Sequence, residues 1–313
     1  MTHAAEDSSL PVQVSAERLR RAPGVTILAR DDTALQFGLD ATRCGIVAVD
    51  NAAAVAAALR ALPKECGRHD LLTTFLGASL PPTAAIALVD ELVDFGVWQP
   101  ARGRDHIALI GGSPLAKALE KKLWRDNFSV FRFNTADAPE PVSTFMSRHG
   151  HNVPLLVVDE QATAHSMSLH LHTFARTWLP IMQLDQRILI GPLHVDDRGP
   201  CPLCLNLYRT EIDPEWRTVL EAATRMGAPD ILVTDAAVAY AVAAARTLVK
   251  RPGLPGAADT QWHAGTVLDV DIFGGNQRSV YPNHPRCPVC FSHVWDGGKE
   301  DGALYRKQVS APY

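Results

Sequence analysis

Two cysteine pairs carry the most specific chemistry in this 313-residue chain. Cys201-x2-Cys204 lies within "GPCPLCLNLYRTEIDPEW" (199–216), and Cys287-x2-Cys290 within "HPRCPVC" (284–290). Each pair is expected to set two soft sulfur ligands on one tight turn. Together they supply the four thiolates that tetrahedral Zn²⁺ takes in a structural site, at Zn–S distances of about 2.3 Å. One such pair is a weak signal, and two identical pairs are a strong one. A closed four-thiolate site keeps no position for water, so it clamps the chain and does no Lewis-acid chemistry. The clamp would join the stretch near 201 to the one near 287 and enclose the helix between them. Two disulfides, free thiols or a thioredoxin-like redox pair are the alternatives, the last expected where a helix is capped after a strand. His284 is surplus to a four-sulfur site. Cys44 and Cys66 stand alone and read as small apolar core residues, not thioester-forming nucleophiles. His165, His170 and His172 are spaced so that no single helix face holds all three, so they read as surface or core.

A second candidate is "IALIGGSPLA", a strand that turns through Gly111 and Gly112 into a helix, which is where phosphates dock. The glycine spacing departs from G-x-G-x-x-G. Pro114 removes a backbone N–H donor. Asn134 stands after the next strand, where an acidic ribose partner is expected. The loop reads as a degenerate nucleotide site, with ATP not expected.

These groups must be held by elements. The order of "VTILARDD" (25–32), "ALQFGLD" (34–40) and "GIVAVD" (45–50), then helical patterns over 52–63, 69–78 and 81–98, is β-β-β-α-α-α, which suits a winged helix-turn-helix; a generic α+β unit is the plainer reading. "QPARGRD" (99–105) reads as a linker. Strand–turn–helix–strand over 106–134, a buried-type strand at 154–160, a helix around 161–178 and a strand pair over 179–195 give a βαβ pattern and hence a parallel sheet. The spacing predicts a helix over 234–253 capped by Asp235, and a hairpin over 266–282 across a Gly-Gly-Asn turn. The expected organisation is a flexible 1–15, a winged-helix-like domain over 16–100, an α/β domain over 101–293 carrying the cysteines, and a mobile tail over 294–313.

Composition narrows the function classes. With 30 Lys+Arg against 34 Asp+Glu, the formal charge is −4 and no basic stripe is offered to a phosphate backbone, so nucleic-acid binding is not expected. A zinc- or redox-responsive DNA regulator is the weakest reading for that reason. The polar N-terminus lacks a signal-peptide core, and the longest apolar run, 236–249, falls short of the ~20 residues of a membrane span. A cytoplasmic protein with no membrane association is expected, and six cysteines in a reducing compartment do not make a disulfide scaffold.

"GVTILARDDTALQFGLDATR", "IGPLHVDDRGPCPLCLNLYRTEIDPEW" and "HPRCPVC" together resemble the ubiquitin-activating, ThiF-like fold, in the "cyclodehydratase" or leader-peptide-binding branch of thiazole/oxazole-modified peptide biosynthesis. The resemblance covers nearly all of 16–291. Adenylating members surround ATP with a Gly-rich loop, an acidic ribose residue, an Asn-Leu-x-Arg-Gln-type segment and a Lys. Here "NTADAPEPVSTFMSRHGHNV" holds no such Arg-Gln motif, so the resemblance implies a zinc clamp that outlived the adenylation machinery. It also implies that the N-terminal unit acts as a RiPP recognition element, in which a leader peptide adds as a strand to the third strand and lies against the third helix. The corresponding residues are Gly45, Ile46, Val47, Ala48 and Val49 on the strand and Val89 and Val93 on the helix. The implied function is a non-catalytic scaffold that presents a peptide or protein substrate to a separate ATP-using, YcaO-type enzyme. The alternative is an ATP-dependent adenylating enzyme. By analogy the chain is expected to be a homodimer.

Overall fold

The computed structural model describes residues 17–223, 230–253, 255 and 262–291. The expected flexible start (1–15) and mobile tail (294–313) lie outside the described residues. The chain divides into two compact units: Met1–Gly103 with Pro252–Thr260, and Arg104–Arg251 with Gln261–Tyr313.

The first unit runs β1 (Arg18–Arg21), β2 (Ile27–Asp31), β3 (Ala34–Phe37), β4 (Gly45–Ala48), α1 (Ala52–Ala61), β5 (Glu65–Gly67), α2 (Arg68–Gly77), α3 (Pro82–Asp94) and β6 (Trp98–Pro100). The three expected strands form one antiparallel sheet in the order β2-β3-β4, and the three expected helices are present. Three further strands interrupt the β-β-β-α-α-α order and pair as β5-β1-β6. They escape sequence reading because they are only three or four residues long and one reads Arg-Leu-Arg-Arg. In α3 the buried residues Ala85, Leu88, Val89 and Leu92 follow helical spacing, and Pro82 opens the helix where its missing N–H costs nothing. They pack with Leu35, Phe37, Phe75 and Trp98 into one core.

The second unit runs β7 (Asp105–Ile110), α4 (Pro114–Arg125), β8 (Phe128–Phe133), α5 (Val142–His149), β9 (Leu155–Val158), α6 (Ala164–Phe174), β10 (Trp178–Leu184), β11 (Arg187–Ile190), α7 (Pro202–Ile212), α8 (Trp216–Ala223), α9 (Ile231–Leu248), β12 (Thr266–Asp271) and β13 (Gly275–Val280). Its sheet has the order β13-β12-β11-β10-β9-β7-β8. Only β8, β7, β9 and β10 are mutually parallel; β11, β12 and β13 are antiparallel, so the sheet is mixed where a parallel one was expected. Alternation along β7 assigns the two faces. Ile107 and Leu109 pack with α4 and α9, while Ala108 and Ile110 pack with α5, α6 and the four paired cysteines.

The helix expected over 234–253 is α9, beginning earlier and ending sooner. Asp230, not Asp235, caps it, its carboxylate accepting the N–H groups of Leu232 and Val233 at 2.8 and 3.2 Å. By length and composition α9 matches a membrane span, which the fourteen-residue run did not suggest; Val233, Ala237, Ala241 and Ala245 instead bury their apolar surface on the sheet.

Candidate metal centre

Cys201 is not on an isolated turn. It is the N-cap of α7, and Cys204 sits in that helix's first turn, so the helix's electropositive end faces both sulfurs. Cys201 makes no capping bond with its own side chain. Ser168 of α6 does that work instead: its hydroxyl accepts the Leu203 N–H at 3.1 Å and donates to the Ala164 carbonyl at 2.6 Å. The second pair follows β13. The Cys287 N–H donates to the His284 carbonyl at 2.9 Å, and the Phe291 N–H returns to the Cys287 carbonyl at 3.0 Å, closing a helical turn.

The four Sγ atoms lie within 4.8 Å of one another, and the cysteines are at most 2% exposed. Cys201 is 3.8 Å from Cys204 and 3.6 Å from Cys287, and Cys204 is 3.4 Å from Cys290. A tetrahedron of sulfurs about 2.3 Å from a central Zn²⁺ has edges of about 3.8 Å. The sulfur spacing is therefore of the size such an ion takes, and the residues present fit it. All four are free thiols. Cys201 caps a helix, as the first cysteine of a redox pair does, but ten residues separate it from the end of β11, so the strand-then-helix placement of that alternative is not met. What separates the readings is the second pair, which converts a helix-capping dithiol into a four-sulfur cage. As thiols the four share charge unevenly. Hydrogen bonds from Cys204, Cys287 and Cys290 hold Cys201 far below its ordinary value, while Cys201 and burial push Cys204 and Cys290 up. The cluster takes negative charge on some of its sulfurs more readily than on all four, which is the electrostatic demand a dication answers.

Polar hydrogens approach the sulfurs. The His284 N–H donates to Cys204 Sγ at 3.3 Å. The His284 ring is buried beside the cage and not in it: its Nδ1 accepts the Arg286 N–H at 3.1 Å and its Nε2 faces Glu211 Oε1 at 3.1 Å. Of the three histidines read as surface or core, His165 is exposed and His170 stacks on Phe174, but His172 brings Nε2 to 3.6 Å from Cys290 Sγ. Spacing could not reveal this, because His172 meets the cage singly. Cys66 is a core residue whose thiol burial pushes up, and Cys44 is half-buried.

The Gly111–Gly112 turn lies at the C-terminal ends of β7 and β9, where the chain switches from one side of β7 to the other, the usual ligand crevice of such sheets. Gly111 has φ +146°, and a Cβ there would stand 2.4 Å from the Val158 carbonyl oxygen. A Cβ on Gly112 would meet Thr135 and Asn134 at 3.0 and 3.1 Å. Two carboxylates, Asp159 and Glu160, follow β9 beside this turn. Burial raises both; Asp159 accepts the Gln183 N–H at 3.0 Å and Glu160 accepts the Thr135 hydroxyl at 2.6 Å. Arg132 is committed to Glu120 and to the Phe133 carbonyl.

In the first unit, β4 pairs only with β3 among the described residues. The Val49 N–H donates to the Thr33 carbonyl at 2.9 Å. Alternation then turns the N–H and C=O of Val47 and Gly45 toward β3, and those of Ile46 and Ala48 away from it. The side chains of Ile46 and Ala48 are exposed. The Phe95 ring lies against Gly45, where a Cβ would come within 2.8 Å of it. Val49 is 6% exposed and Val89 fully buried, so both are core residues here, while Val93 is half-buried and Ile86, two turns before it on α3, is 45% exposed.

No family model matches the sequence, and no curated protein matches it. Solved structures are similar in fold. The heterocyclase TruD aligns with TM-score 0.54 at 14% identity over 88% of this chain and 43% of its own. A heterocyclase in complex with substrate and cofactor aligns with TM-score 0.56 at 13% identity over 87% and 39%. A chain of the E. coli microcin synthetase McbBCD complex with pro-MccB17 bound aligns with TM-score 0.54 at 11% identity over 87% and 99%. The chain spans about two fifths of the length of the two heterocyclases and nearly all of the microcin synthetase chain.

Proposed function

We propose that this chain is a substrate-recognition component of a peptide-modifying system. The first unit binds an extended peptide by strand addition to β4, and the second unit is a metal-clamped scaffold that presents the peptide to a separate ATP-using enzyme of the YcaO type. One observation carries the reading: the outward N–H and C=O of Ile46 and Ala48 form an open strand edge flanked by exposed apolar side chains, the arrangement that captures peptides through their backbone. The similar heterocyclase and microcin synthetase folds support it, two of those structures having been solved with substrate or pro-peptide bound. A winged-helix recognition role, a Cys201–Cys204–Cys287–Cys290 zinc site and a homodimer belong to the same proposal. Of the strand and helix residues expected to contact peptide, Ile46, Ala48 and Val93 retain that role; Val49 and Val89 act from the core.

The test is titration of the full-length chain with labelled peptides from genes adjacent to its own, comparing wild type with Ile46→Pro. Proline there removes an outward N–H and no bond to β3. Loss of binding in Ile46→Pro with unchanged circular dichroism supports the proposal. Equal binding by both proteins, or binding of no peptide, overturns it.

A further inference from the structure

We propose that His172 is a positioning residue of the metal centre, its Nε2–H donating a hydrogen bond to the Cys290 thiolate. This rests on the four-sulfur metal reading. A Zn²⁺ held by four thiolates carries two excess negative charges in a site that water does not reach. Such charge is tolerated where N–H groups point at the sulfurs, and partners of this kind orient the ligands and hold the metal. The cage has one donor at Cys204, the His284 main-chain N–H at 3.3 Å. The last sulfur of the second pair, Cys290 Sγ, faces the His172 Nε2 at 3.6 Å.

The His172 ring is aimed, not merely near. It stands edge-on to Trp178 at 5.1 Å and edge-on to His194 at 5.3 Å between centroids, and those two rings stack on each other at 3.5 Å. Trp178 and His194 are at most 2% exposed and pair across an isolated bridge, and His194 Nδ1 lies 2.8 Å from the Gly199 carbonyl, two residues before Cys201. The imidazole is thus gripped by a surface that is continuous with the loop leading into the first cysteine pair. A ring so held presents one nitrogen to the metal site at a fixed direction. Facing a metal-bound thiolate, which only accepts, that nitrogen must carry its proton.

Two measurements test this. Zinc content per chain by mass spectrometry comes first: about one ion in the wild type supports the cage, and none overturns both the cage and this inference. Zinc release to a chromophoric chelator is then timed for wild type, His172→Phe and His172→Gln. Phenylalanine keeps the edge contacts without the N–H, and glutamine restores a donor at similar reach. Release about tenfold faster in His172→Phe, and near wild type in His172→Gln, is expected. Full zinc content with equal release from all three, or equally fast release from both variants, overturns the positioning role while leaving the four-sulfur site intact. Should His172→Phe fail to fold, the ¹¹³Cd-loaded wild-type chain decides: a correlation between the metal and the His172 ring N–H, transmitted across the thiolate, is expected, and its absence overturns the inference.

Discussion

At the scale of residues, the four cysteines act as one group. Removing a single ligand from the proposed zinc site would leave three buried sulfurs and an open position, and metal affinity is folding free energy where the site exists only in the folded chain. Cys201→Ser and Cys290→Ser are therefore each expected to lose zinc and to lower the unfolding temperature of the full chain; retention of one zinc per chain in both variants would refute the ligand assignment. Asp159 gives a second prediction. Burial raises its carboxyl, so the native state holds that proton more readily than the unfolded chain does. Its stabilising contribution is complete below the ordinary carboxylate range and is lost as pH rises through the raised value. Asp159→Asn keeps an acceptor for the Gln183 N–H and tolerates the left-handed backbone there, φ 56°. It is expected to melt above wild type at neutral pH and to match it below the carboxylate range. An offset that is the same at both pH values would place the effect elsewhere.

At the scale of elements, β4 is short, and its two backbone sides have different partners. Ile46→Pro and Val47→Pro differ by one position and in what they remove: the first deletes an N–H that points away from β3, the second one that points at it. Val47→Pro is expected to destabilise the first unit on thermal melting, and Ile46→Pro to spare the melt while abolishing peptide capture. Equal melts for the two would show that the register of β3 and β4 differs from the one described. Sequence reading found β2, β3, β4 and all three helices of this unit because their apolar residues recur at periods of two or 3.6. It missed β1, β5 and β6, whose few residues alternate too briefly to show a period and whose partners come from three separate stretches. It also placed the cap of α9 five residues late, because Asp230 and Asp235 are equally good caps by type and only the carboxylate's bonds to Leu232 and Val233 distinguish them.

At the scale of the whole molecule, the adenylating alternative and the scaffold reading differ in one assay. Phosphoryl or adenylyl transfer needs donors and cations arranged around developing charge. Beside the Gly111–Gly112 turn stand Asp159 and Glu160, and Arg132 is already bound to Glu120 and backbone carbonyls. ATP–pyrophosphate exchange by the purified chain is expected to be absent with any candidate peptide present; exchange abolished by Gly112→Ala would establish the enzyme reading instead. The similar folds fit either outcome, since this chain matches about two fifths of the heterocyclases and the full length of one chain in a multi-chain synthetase.

The sequence alone determined the donors and the periods. Four thiols in two identical pairs are a metal-ligand set by residue type and local spacing, which any chain displays openly. Tertiary structure decided what those residues meet. His172 lies 118 residues from Cys290, and no spacing rule connects them; the connection exists because α6 packs on α7 against the same sheet face. The same holds for Ile46, whose exposure depends on β4 lying at the end of its sheet, and for Val89, whose helical position is apolar whether a peptide or the core receives it. Periodicity says which side of an element is apolar, whereas the identity of its neighbour is a property of the folded chain.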